Sequence, residues 1–145
     1  MGWIKALTTD LIKKYDTNNP YEIAASKNIH VCEYDLHEDI LGFYKFIRRN
    51  KFIYINSNLS EDEKLYTCAH ELGHAELHFK LNTPFLKKGT LLSIDKIERE
   101  ANIFAVELLL PDKNLLDYQN TNLSIQQICE MHGIPKELSH LKKIL

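Results

Sequence analysis

Apolar positions along this chain switch between a helical period and a period of two, and the switches mark its elements. Trp3, Leu7 and Leu11 repeat every four residues, which predicts a helix over Gly2–Tyr15. Asp16-Thr17-Asn18-Asn19-Pro20 breaks that pattern as a turn, and Pro20 opens a short helix through Ala25. The period then falls to two. Residues 29–36 alternate as a strand, and residues 41–47 and 52–55 flank the polar run Arg48-Arg49-Asn50-Lys51 as the arms of a β-hairpin. At Ser60 the helical period returns. Ser60 and Glu63 make a capping box with acidic residues in the first turn, and Leu65, Ala69, Leu72 and Ala75 then line one face of an amphipathic helix over 61–79. Residues 81–93, with Pro84 and Gly89, read as a longer loop suited to substrate contact or gating. A second strong helix is predicted over 94–110, closed by Pro111. Ser124 to Gln127 caps a further one, and Gly133-Ile134-Pro135 turns into a short terminal helix.

The order of these elements predicts an α+β domain, with a small sheet and its hairpin packed on the 61–79 helix and other helices around it. No repeat, low-complexity stretch or linker interrupts the pattern. At 145 residues the chain is expected to form a single domain, 1–145, with the helices of 124–145 packed on the core.

The 61–79 helix carries His70-Glu71-Leu72-Gly73-His74, an HExxH sequence. Residues four apart lie one above the other on a helix, so two imidazoles there can close on one metal ion. Glu71 projects to the neighbouring arc, within reach of a water at that metal. That is the arrangement of a zinc peptidase: two His ligands, a carboxylate general base, and a third ligand from elsewhere. Gly73, in mid-helix, costs about 1 kcal/mol relative to Ala. It serves either close packing against another element or space for substrate beside the metal.

The third ligand is not His78. Two turns separate it from His70, about 12 Å along a straight helix, so it is expected to support or pack rather than ligate. The 94–110 helix offers Glu98 and Glu100. Glu98 shares a face with Ala101, Asn102, Ala105, Leu108 and Leu109, a face small enough to lie close against another helix. Glu100 shares its face with Phe104 and Glu107. Glu98 is therefore favoured and Glu100 stays open, the other of the two being expected on a solvated face.

Ala69-His70-Glu71-Leu72-Gly73-His74-Ala75 with His78, followed by Glu98, Ala101, Asn102, Phe104, Ala105, Leu108, Leu109 and Pro111, resembles the ImmA/IrrE metallopeptidases. The resemblance is strong over the central half of the chain and loose at both ends. It implies a gluzincin-like core binding Zn2+ through His70, His74 and Glu98, with Glu71 as the catalytic base. It also implies a protein substrate, a helix-turn-helix repressor of a prophage or mobile element. The rival reading is a zinc-binding regulator that docks to a transcription factor without cutting it; an intact Glu71 argues for catalysis.

Composition narrows the surroundings of this chemistry. A net charge of −2 argues against a phosphate-binding surface, so no direct nucleic-acid partner is expected. No apolar run approaches a membrane span. Three widely separated cysteines, Cys32, Cys68 and Cys129, suit reduced thiols in the cytoplasm. The two helices of 124–145 would make a poor DNA reader, since Arg is absent and Glu130 and Glu137 dilute Lys136, Lys142 and Lys143. Arg48, Arg49 and Lys51 read as a solvated hairpin tip. Among possible oxyanion donors, His132, His140 and several tyrosines are available, and a hairpin edge is expected to hold substrate by strand addition.

Overall fold

The computed structural model describes residues 2–83, 85–93 and 95–142. Pro84, the first residue of the predicted 94–110 helix and the last three of the terminal helix lie outside the described residues. In chain order the elements are α1 (Gly2–Tyr15), α2 (Pro20–Ser26), β1 (His30–Tyr34), β2 (Ile40–Ile47), β3 (Asn50–Asn56), α3 (Glu61–Leu77), β4 (Leu86–Lys87), α4 (Lys96–Leu109), α5 (Asp112–Leu115) and α6 (Ile125–Met131). Short 3-10 segments cover Lys88–Thr90, Leu116–Tyr118 and Lys136–Leu141. The fold is α+β: a four-stranded sheet packs on α3, α4 packs on the far side of α3, and α1 and the terminal 3-10 segment pack on α4.

Strand order in the sheet is β1-β3-β2-β4, with β1 parallel to β3 and the other pairs antiparallel. The hairpin turn is tighter than the polar run suggested. Asn50 and Lys51 already belong to β3, and only Arg48 and Arg49 make the turn, both at positive φ (50° and 67°). A two-residue turn of this hand ordinarily uses Asn-Gly, so Arg-Arg gave no signal for it. Nor is Lys51 at a solvated tip. Its Nζ donates to Ala75 O at 3.0 Å, where a cation offsets the orphan carbonyls of the α3 terminus. Tyr44 Oη donates to Phe79 O just beyond.

Strand β4 falls inside the stretch expected as a loop, since two residues are too few to show a period. It pairs with β2 at Ile40 and Gly42, and the Phe46 N–H donates to Asn82 Oδ1. The outer edge of the hairpin is thus taken at these positions rather than open for a substrate strand. Gly42 lets sheet and helix approach closely: a Cβ there would run into Tyr54 O and lie 2.7 Å from the Thr67 methyl.

The stripe of α1 is also shifted from expectation. Ile4, Thr8 and Leu11 are buried, whereas Trp3 is 54% exposed, because α4 meets the helix one residue further round. At the other end Ser124 closes a capping box on α6, and Ile128, Cys129, Ile134 and Leu138 are buried in the core.

Candidate metal centre

Helix α3 carries the HExxH segment in its buried half. Its amino terminus is fixed by the Ser60–Glu63 capping box, which leaves His70, Glu71 and His74 well inside regular helix. All three are at most 1% exposed, and their ligand atoms lie within 4.8 Å of one another. Gly73 lets α4 come close: a Cβ there would stand 3.1–3.2 Å from Phe104. Of the two roles open to this glycine, close packing is the one the geometry bears out.

Helix α4 starts at an Asp95 cap and brings Glu98 in its first turn, where the helix dipole favours a carboxylate. Glu98 Oε2 is 3.4 Å from His70 Nε2, and Oε1 is 2.7 Å from His74 Nε2. Two ligands on a tetrahedral ion, each about 2.0–2.1 Å from it, stand about 3.3 Å apart. The contacts are close without being aligned as hydrogen bonds. His70 Nε2, His74 Nε2 and Glu98 Oε1 are all buried with no hydrogen-bond partner, as are both oxygens of Glu71. Buried polar atoms left in this state are costly unless something occupies the point on which they converge. Two neutral imidazoles and a carboxylate are a donor set that fits a divalent cation.

Both imidazoles are held through their other nitrogen. Asn102 Oδ1 accepts from His70 Nδ1 at 2.8 Å and also from the Tyr66 hydroxyl. The Asn102 amide in turn donates to Leu91 O. His74 Nδ1 is 3.0 Å from His78 Nδ1, and His78 Nε2 is 2.8 Å from Glu100 Oε1. Since an ionised Glu100 accepts only, the proton on His78 is at Nε2, its Nδ1 accepts from His74, and His74 Nε2 is left bare. Each tautomer leaves a lone pair aimed at the centre.

Glu100 therefore does not sit on a solvated face. It is 8% exposed, because α4 packs its flank against the carboxyl-terminal end of α3. His78 stands where a supporting rather than a ligating residue was expected; sequence reading missed the part of Glu100 and the role of Asn102. The available signal was a polar residue one turn beyond Glu98 on an otherwise small and apolar face.

Electrostatics separates the acids. Burial raises the Glu71 pKa to about 8, with His70 pulling it down and Glu98 adding to the rise. Burial also pushes Glu98 upward, but the two imidazoles outweigh it and hold that carboxyl well below the usual range. Burial lowers His74 to about 4 against the pull of Glu98. Burial opposes protonation of His70 as well, but Glu98, Glu71 and Asn102 together raise its pKa. An open cleft of about 540 Å³ reaches Glu98, lined by Lys45 of β2 and by Thr83, Phe85, Lys87, Ser93 and Asp95. His132 and His140 stand elsewhere. The first pairs with the Tyr118 hydroxyl at 2.9 Å and the second with Glu137 O, both outside this cleft.

With this geometry the chain is an α+β protein whose buried HExxH helix meets a carboxylate from a neighbouring helix. Residues 24–141 match the family described as the IrrE N-terminal-like domain, and the chain belongs to that family of metallopeptidases. It is 55% identical over 141 residues to "Uncharacterized immunity region protein 2" of Bacillus phage phi105, covering 97% of this chain and 89% of the relative. It is also 34% identical over 143 residues to "Metallopeptidase ImmA" of Bacillus subtilis (strain 168), covering 96% and 83%. Among the described residues no helix is long and apolar enough to cross a membrane.

Proposed function

We propose that His70, His74 and Glu98 hold a zinc ion, that Glu71 is the general base, and that the chain is a site-specific endopeptidase of the cytoplasm cutting a helix-turn-helix repressor. The observation that carries the reading is the set of converging buried ligand atoms on α3 and α4 that make no aligned hydrogen bond, with the buried Glu71 carboxyl beside them. When bound, zinc supplies a Lewis acid that acidifies water and polarises a carbonyl. Glu71 takes the proton of the attacking water and passes it to the leaving amine. Asn102 and the His78–Glu100 pair keep both imidazoles in the ligating tautomer. The repressor reading is supported by the family resemblance, and by the phage relative's naming for an immunity region.

Glu71→Gln tests this. The amide keeps size and polarity and removes the base, so zinc should be retained at about one ion per chain while cleavage falls roughly a hundred- to ten-thousand-fold. Co-expressed with a candidate helix-turn-helix repressor, the wild type should cut it and Glu71→Gln should leave it full-length and repressing. Equal relief of repression by both forms, with no cleavage by either, would replace the peptidase with a docking regulator.

A further inference from the structure

The face of the sheet turned away from α3 carries aromatic side chains from every strand region. His30 stacks on Phe52 with ring centroids 5.0 Å apart, Phe52 lies 6.2 Å from Tyr54, and Tyr54 lies 4.6 Å from Phe43. The planes of each pair lie within 24° of parallel. Phe85, just before β4, closes the row at 4.9 Å from Phe43, and Tyr34 flanks Tyr54 at 5.6 Å. The register β1-β3-β2 sets these residues side by side on one face. Tyr34 is 53% exposed and Phe85 46%, and a contiguous apolar surface of this kind marks a contact site more often than decoration.

Three features define the visitor. Within the run His30, Phe52, Tyr54 and Phe43 the near-parallel rings turn their faces toward one another, so there edges rather than faces are offered outward. Stacking of nucleic-acid bases needs free faces, so a protein surface fits better. Toward the hairpin turn the rim is basic, with Lys45 and the exposed Arg48 and Arg49, and Lys87 adds a cation beside the cleft; none of these carries an ion pair among the described residues, while the exposed Asp35, Glu38 and Asp39 lie at the opposite end of β2. The Lys45 ammonium lies 5.7 Å over the Phe43 ring. Finally, Lys45, Phe85 and Lys87 also line the cleft that reaches Glu98, so a chain lying in the cleft passes directly onto the row.

We propose that this face is an exosite of the peptidase, docking a segment of the protein substrate that combines acidic with aromatic or aliphatic residues, at a distance from the bond that is cut. The proposal rests on the peptidase reading of the cleft. Docking does not require cutting, so the two are separable in the Glu71→Gln protein.

Panning a random twelve-residue peptide library on Glu71→Gln should enrich sequences pairing Asp or Glu with Phe, Tyr, Trp or Leu. A synthetic copy of the enriched peptide should bind at least tenfold more weakly to the same protein carrying Tyr34→Ser, Phe52→Ser and Lys45→Glu. Tyr34→Ser alone, at an exposed position, should weaken it measurably and guards against a misfolded triple variant; zinc content should match the parent in both. Enrichment without acidic residues, or binding indifferent to these substitutions, overturns the proposal. So does a surface that instead binds a twelve-residue oligo-dT, or a dimer of the parent that the variants dissolve. A wild type that cuts nothing while the acidic peptide still docks would overturn the peptidase and leave a docking surface.

Discussion

Helix α4 carries a buried cluster of charged groups near each end, and it treats the two in opposite ways. In its last turns Glu107 meets Lys142, whose Nζ lies 2.6 Å from Glu107 Oε1 and 2.8 Å from Asp112 Oδ1. Lys5 joins at 3.0 Å from Asp112 and 4.0 Å from Glu107. Each charge there faces an opposite one, and against the upward push of burial Lys142 and Lys5 hold the Asp112 carboxyl below its ordinary value. In its first turn Glu98 meets His70 and His74 with Glu71 alongside, and here the atoms that converge make no aligned hydrogen bond. Burial of charge is common to both clusters. What differs is satisfaction: the first cluster ties α1, α4, α5 and the terminal 3-10 segment together through aligned hydrogen bonds, whereas the second leaves converging atoms without them, as the proposed metal site requires.

The contrast is most exposed to failure at Lys142. Lys142→Ala leaves Glu107 buried without its closest cation and should cost about 3–5 kcal/mol in urea unfolding. Adding Glu107→Leu should recover much of the loss, since the penalty comes from the stranded charge rather than from the missing attraction. Metal content should stay at the wild-type level at temperatures where the variant is folded. A Lys142→Ala protein within about 1 kcal/mol of wild type would remove the clamp from the comparison.

At the other cluster, substitution should stabilise. The Glu71 carboxyl loses its proton near 4.5 in the unfolded chain and near 8 in the folded, metal-free one. Between those values the folded state holds a proton the unfolded state has released. The contribution is therefore intact below about pH 4.5 and is lost as pH rises through about 8. Glu71→Gln has no such dependence. In zinc-stripped protein the stability of Glu71→Gln relative to wild type should grow by on the order of 3 kcal/mol from pH 5 to pH 8. A gap that is flat with pH, or one that narrows, would show that Glu71 is as comfortable as the acids of the other cluster.

Sequence carried much of this molecule and stopped at definite physical limits. HExxH was legible because two ligands four apart on a helix are a local pattern, and α1 and α3 began where their periodicity and caps placed them. The choice of Glu98 over Glu100 came from sharing a face with small residues, and Glu98 is the carboxylate found against both imidazoles. What could not be read was long-range. That Glu100 is buried depends on which flank of α4 meets His78, and the two residues are separated by the whole 79–95 segment. Strand β4 is too short to have a period, and Lys51 turns inward because of where α3 ends, not because of its neighbours in sequence. The terminal clamp joins Lys5 to Lys142 through acids on α4 and α5, a pairing that no local window contains.

The smallest expected effect tests how far the metal cluster extends into the protein. If His78 and Glu100 merely fill space, replacing them should alter stability and leave zinc alone. If they hold the His74 tautomer, Glu100→Gln should weaken zinc binding, because the amide no longer attracts the His78 proton to Nε2 with a full charge. Losses of roughly ten- to a hundredfold are usual for partners of this kind, corresponding to about 1–3 kcal/mol. Asn102→Ala should do the same through His70, whose Nδ1 would lose its acceptor. Arg99→Ala, at the exposed position between the two glutamates, should leave zinc affinity unchanged and serves as the reference. Affinity read by competition with a chromogenic chelator, with unfolding measured in parallel, separates the two readings. Wild-type affinity in Glu100→Gln beside a clear loss in Asn102→Ala would confine the metal cluster to His70, His74, Glu98 and Asn102. Glu100 would then belong, like Glu107, to the part of the helix that serves packing.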